Sequence, residues 1–100
     1  MTIEKHIEGN NVYFSLTGRL DSNTSHELET ALKEALDEGD VLNIIFVVNE
    51  LEYISSAGLR VVLMAKKSIP EEGEVKIIGA NDDLMEIFEV TGFNEILTIE

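Results

Sequence analysis

The sequence predicts an α/β domain, a mixed β-sheet with helices packed on it, and three observations carry that reading. Apolar residues recur with period two near the amino terminus. They then recur at the spacing of an amphipathic helix, and strand-like and helix-like segments alternate from there to the end. With 100 residues and 44% hydrophobic content the chain fills one core, so a single domain over residues 1–100 is expected.

Ile3, Lys5 and Ile7 alternate with Glu4 and His6, and Val12 to Thr17 alternates again after Gly9-Asn10-Asn11, which reads as a hairpin. Leu28, Ala31, Leu32, Ala35 and Leu36 form one helical stripe from about Ser25 to Glu38. Thr24 and Glu27 have capping-box spacing, and Gly39 suits a left-handed stop. Leu42 to Val48 is a nearly continuous apolar run, read as a central strand covered on both faces. A loop from Asn49 to Gly58, containing Glu50 to Ile54, leads to a second helix that begins with Leu59, Val62, Leu63 and Lys66 and is ended by Pro70. Glu74 to Gly79 gives another strand. Asn81 or Asp82 caps a third helix with Leu84, Ile87 and Phe88 inward and Gly92 as its stop, and Phe93 to Ile99 closes the chain with a short apolar element. Right-handed crossovers join the parallel strands, and loops at the carboxyl ends of such strands are where sites lie. Asn49 to Gly58 occupies that position.

Twenty Asp and Glu against seven Lys and Arg leave a net charge of -13, which disfavours nucleic acid and anionic membranes as partners. The absence of Cys removes disulfides, thiolate metal sites and a thiol nucleophile. The start, Met1-Thr2-Ile3-Glu4-Lys5-His6, has no basic and apolar leader, and Ile44 to Val48, an apolar run that no other exceeds, is far too short to span a membrane; a cytoplasmic location is expected.

The charge is uneven. Residues 53–69 hold no acid and carry Arg60, Lys66 and Lys67, whereas residues 71–100 hold nine acids against Lys76 alone. Lys66 and Lys67 fit the last turn of the second helix, where cations complement the dipole. Arg60 lies near the amino end, four residues after Ser56 and on the same helix face. One of Ser55 and Ser56 is expected to cap the helix, and the other to present its hydroxyl where free N–H groups favour an anion; spacing does not say which. A phosphate there would meet backbone donors and Arg60. Catalytic arrangements are missing: Ser56 lacks a GxSxG elbow, His6 and His26 carry no mark of a base, and no phosphate-binding Gly loop is present. Glu71-Glu72 and Asp82-Asp83 read as solvated loop and cap residues rather than metal ligands, and no cofactor is expected.

Leu16-Thr17-Gly18-Arg19-Leu20-Asp21, Tyr53-Ile54-Ser55-Ser56-Ala57-Gly58-Leu59-Arg60 and Val90-Thr91-Gly92-Phe93, at their spacing, make the chain resemble STAS domains, specifically bacterial anti-sigma factor antagonists. The resemblance covers essentially the whole chain. It implies a non-enzymatic switch: the unmodified domain binds an anti-sigma factor, usually a serine kinase, and so frees a sigma factor. Phosphorylation by that kinase cancels the binding, and a phosphoserine phosphatase would be a further partner. By motif position the phosphoacceptor falls on Ser56, and the partner-binding residues on Asp21, Asn49, Ser55, Ser56, Ala57, Gly58 and Arg60. Ser55 stands where many members have Asp, and Val47 where many have Asp or Asn. The alternative function is a STAS scaffold or sensor that binds a protein partner or a small anion without phosphorylation.

Overall fold

The computed structural model describes residues 1–100. Its elements run β1 (Thr2–Glu8), β2 (Asn11–Leu20), α1 (Ser25–Glu38), β3 (Asn43–Ile54), α2 (Ser56–Ser68), β4 (Val75–Ile78), α3 (Asp82–Thr91), a 3₁₀ turn (Phe93–Glu95) and β5 (Thr98–Ile99). The strands form one five-stranded sheet in the order β1-β2-β3-β4-β5, with β1 antiparallel to β2 and every later pair parallel. The α/β mixed-sheet architecture read from the sequence is therefore the one observed. The closing apolar element contributes the fifth strand.

Strands laid down in one direction and joined by right-handed crossovers place their helices on one face of the sheet. The core agrees. Val12, Phe14 and Leu16 of β2, Ile44, Phe46 and Val48 of β3, and Val75 and Ile77 of β4 form one cluster with Leu28 and Leu32 of α1, Val61, Val62 and Ala65 of α2, and Leu84 and Phe88 of α3. The expectation of a central strand covered on both faces thus holds for one face only. Val47 pairs with Ser15 and Ile78 on the helix-free side. Ile45 is 4% exposed yet stands outside the core cluster, shielded by neighbouring strands rather than by a helix. A continuous apolar run reports that both pleats are sheltered, not that both carry helices.

The segment read as a loop from Glu50 to Ile54 is strand. Beyond the sheet's centre β3 pairs with β2 alone, Thr17 with Glu50, Gly18 with Leu51, Arg19 with Tyr53 and Leu20 with Ile54. Two register shifts each insert an extra β3 residue, one between Ser15 and Thr17 and one between Gly18 and Arg19. As a result the core-facing residues are Val48, Leu51 and Ile54, three apart rather than two. Two helix ends also differ from expectation. Thr24 makes no side-chain cap bond to α1, and Gly39, at φ 173, is extended rather than left-handed. At α3 the expected stop is present: Gly92 is left-handed at φ 78, and its N–H donates to the Glu89 carbonyl. Asn81, not Asp82, is the cap of α3, its Oδ1 accepting from the Leu84 N–H at 2.8 Å.

Candidate functional site

The bulged ribbon of β2 and β3 carries their carboxyl ends past β4 and sets them side by side. The Ser55 N–H donates to the Leu20 carbonyl at 2.9 Å, and the Ser25 N–H donates to the Asp21 carbonyl at 2.9 Å. The starts of α1 and α2 are thereby fixed to adjacent strand ends. Arg19 holds its guanidinium carbon 4.4 Å from the centre of the Tyr53 ring, and Tyr53 remains 38% exposed. That is a cation–π pair at the surface, and it leaves Tyr53 partly exposed.

The two serines, left open by spacing, divide the work. Ser55 is the N-cap of α2: its backbone is extended, and its Oγ accepts from the Gly58 N–H at 3.2 Å. Ser56 is the first residue of the helix and is exposed, and its hydroxyl engages no protein group. The helix therefore begins three residues before Leu59. The Leu59 N–H reaches the Ser55 carbonyl at 2.9 Å and Gly58 is capped, which leaves the N–H groups of Ser56 and Ala57 without a partner in the helix. Ser55→Ala is accordingly expected to cost about 1 kcal/mol of stability, and Ser56→Ala to leave stability unchanged. Urea unfolding of the two variants checks the difference.

Asp21 serves the loop before α1. Its Oδ1 accepts from the N–H groups of Asn23 and Thr24, each at 3.0 Å, and from the Thr24 hydroxyl at 3.1 Å. Thr24 Oγ1 in turn lies 2.7 Å from the Arg19 carbonyl and accepts from the Asp21 N–H at 2.9 Å. The Thr24 backbone N–H, then the Thr24 hydroxyl, the Asn23 N–H and nearby Arg19, hold the Asp21 carboxyl below its ordinary value against a smaller opposing desolvation. Asp21 is thus a charged residue that shapes the rim of the site.

Between α1 and α2 a groove of about 370 Å³ is lined by Ser22, Ser25, His26 and Glu29 on one side and Ala57, Arg60, Val61 and Met64 on the other. Arg60 is exposed and makes no ion pair, whereas Glu29 is held by Lys33 at 2.8 Å. Asp21, Ser55, Ser56, Ala57, Gly58 and Arg60 thus gather around one helix start. Asn49 does not join them, because it lies against Gly79 at the end of β4. Arg19, Tyr53, Ser22 and His26 belong to the same surface and escaped the sequence reading of the site. Arg19 and Tyr53 share a paired position in the β2–β3 extension, which was read as loop. No group of three or more His, Cys, Asp or Glu side chains is placed to hold a metal ion, and no helix is long and apolar enough to cross a membrane.

The start of α2 thus carries a free hydroxyl, with an unpaired cation one turn along. The family model described as STAS domain matches residues 2–100. The chain belongs to the STAS domain family. BtrV of Bordetella bronchiseptica, named as an anti-sigma factor antagonist, is 34% identical over 85 residues, 84% of this chain and 72% of that protein. An anti-sigma factor antagonist from Mycobacterium paratuberculosis superposes with a TM-score of 0.87 at 15% identity, covering 98% of this chain and 83% of that one. The Bacillus cell fate determinant SpoIIAA in its phosphorylated form gives 0.77 at 18% identity, covering 99% and 91%. At these identities the solved structures speak for the fold. The relatives' names place this STAS domain among regulatory binding proteins rather than enzymes.

Proposed function

We propose that this STAS domain is an anti-sigma factor antagonist, bound by a serine-kinase anti-sigma factor while Ser56 is unmodified and released when that kinase phosphorylates Ser56. The observation that carries the proposal is the division between the serines: Ser55 spends its hydroxyl on the cap, and Ser56 presents an unengaged hydroxyl at the first position of α2. Asp21, Tyr53, Ala57 and Arg60 surround it as the docking surface.

A phosphate on Ser56 adds about 1.5 to 2 negative charges at a helix start that tolerates them. The free N–H groups of Ser56 and Ala57 and the unpaired Arg60 stabilise it in place, so the domain need not unfold to change partners. Affinity falls because the partner would have to desolvate that charge and oppose its own groups to it. A phosphoserine phosphatase restores binding, and the whole cycle takes place in the cytoplasm.

Calorimetric titration into its cognate anti-sigma kinase should give one-to-one binding for the unmodified protein and none measurable for the Ser56-phosphorylated form. The scaffold alternative, binding without phosphorylation, expects equal affinities. Val47, apolar where many members have Asp or Asn, and the shortage of polar groups around the loop favour that alternative. The place of Val47 on the helix-free face, beside Ser15 and Ile78, keeps its apolar character away from the start of α2.

A further inference from the structure

We propose that the outward face of α3 is a second docking surface, which takes a basic amphipathic helix of a partner protein. Val90 is 79% exposed, the most exposed large apolar side chain of the protein. With Ile87, Thr91, Asp83 and Glu86 it lines an open depression of about 360 Å³. Asp83, Glu86, Ile87 and Val90 follow one another at i, i+3, i+4 and i+7, so they form a stripe along one side of the helix. Leu84 and Phe88 point the other way, into the core. Ile87 packs partly against the core at the edge of this stripe, whereas Val90 contributes nothing to holding the helix in place.

Only some of the charges along this helix have a structural use. Asp82 and Asp83 in the first turn complement the helix dipole. Glu86 and Glu89 do not: Glu89 lies in the last turn, where a carboxylate opposes the dipole, and like charges three apart on a helix repel. None of the four acids makes an ion pair. Residues 77–100 contain no Lys or Arg to offset them. A depression that holds Ile87 and Val90 and is bordered by the unpaired carboxylates of Asp83 and Glu86 is complementary to a helix that sets Lys or Arg around one or two apolar anchors, the groove-binding mode of amphipathic helices. Nucleic acid and anionic lipid have the wrong sign. A second copy, itself at -13, is repelled at long range.

The proposal stands apart from the Ser56 switch, and its test keeps them apart. The probe is a synthetic helix-forming peptide of Leu and Lys, titrated into the labelled full chain while backbone amide shifts are followed. Shifts should concentrate in residues 81–96, with binding that weakens as salt rises. Val90→Glu and the pair Glu86→Lys and Glu89→Lys should each weaken binding at least tenfold, while Ser56→Asp leaves it unchanged. A Lys peptide without Leu should bind at least tenfold more weakly than the amphipathic one. Val90 is exposed, so its variant tests the surface without disturbing the core. Shifts spread over the acids of α1 as much as α3, an affinity indifferent to Val90→Glu, or self-association of the protein through α3 would each overturn the proposal.

Discussion

Gly58→Ala is expected to lower the thermal midpoint by about 10 °C, and Gly58→Val by more, although neither removes a hydrogen-bonding side chain. A Cβ at Gly58 would stand 2.7 Å from Leu20 Cγ and 3.0 Å from Ile54 Cγ1. Both neighbours are core residues, Leu20 at 0% and Ile54 at 4% exposure, so neither has open space into which to retreat. Overpacking of this kind costs about 1 to 3 kcal/mol, and the better helix propensity of Ala returns up to about 1. Valine adds volume and gives back less. The site is affected along with stability, because lifting the first turn of α2 off Leu20 also pulls the Gly58 N–H from the Ser55 cap. Thermal unfolding followed by circular dichroism checks this, and an unchanged midpoint would contradict the close approach of helix and strand end.

Ser56→Asp is expected to weaken binding to the anti-sigma kinase by about tenfold to a hundredfold, a loss of roughly 1.4 to 2.7 kcal/mol, while folding stability is kept or slightly raised. The two effects have opposite signs for one reason. At the first position of α2 a carboxylate faces unpaired N–H groups and the positive end of the dipole, which is worth about 0.3 to 1 kcal/mol to the free protein. The same charge must be desolvated when the partner closes over it. A variant that binds less while unfolding no earlier separates a charge effect from a folding defect. Arg60→Ala in the same background should reduce the stability gain, since Arg60 has no competing carboxylate partner. Parallel calorimetry and urea unfolding would show it; equal affinity of Ser56→Asp and the unmodified protein would contradict the charge mechanism.

Where periodicity alone determines an element, the sequence was sufficient. The stripe of Leu28, Leu32 and Ala35 and the alternation of Val12, Phe14 and Leu16 both stand in the core as expected. It failed where pairing changes the period. The two extra residues of β3 put Val48, Leu51 and Ile54 three apart, and with Glu50 and Glu52 between them the segment has the look of a solvated loop. Register is a property of two strands, and one strand's composition does not contain it. The capping error at Thr24 is of the same sort. Its hydroxyl is drawn to the Arg19 carbonyl and Asp21, contacts that exist only once β2 reaches Leu20.

The site was legible in outline for a different reason: the serine motif falls between the end of a central strand and a helix, and topology alone makes that junction prominent. Which serine caps the helix is not legible from spacing. Either serine caps a helix well, and Ser55 takes the cap because its backbone is extended and anchored to Leu20. Arg19 and Tyr53 stand in two of the motifs, but their partnership is not legible there because it depends on β2 and β3 lying in register at these residues. The net charge of -13 likewise acquires a location. It is absent from residues 53–69, around Ser56, and unpaired along α3.

The central claim is that Ser56, and not its neighbour, receives the phosphate. Incubation with the anti-sigma kinase and ATP, followed by mass spectrometric mapping of the modified residue, tests it most directly. A single phosphate on Ser56, abolished in Ser56→Ala and retained in Ser55→Ala, is the predicted result. Phosphate on Ser55, on a residue outside the start of α2, or on none would contradict it.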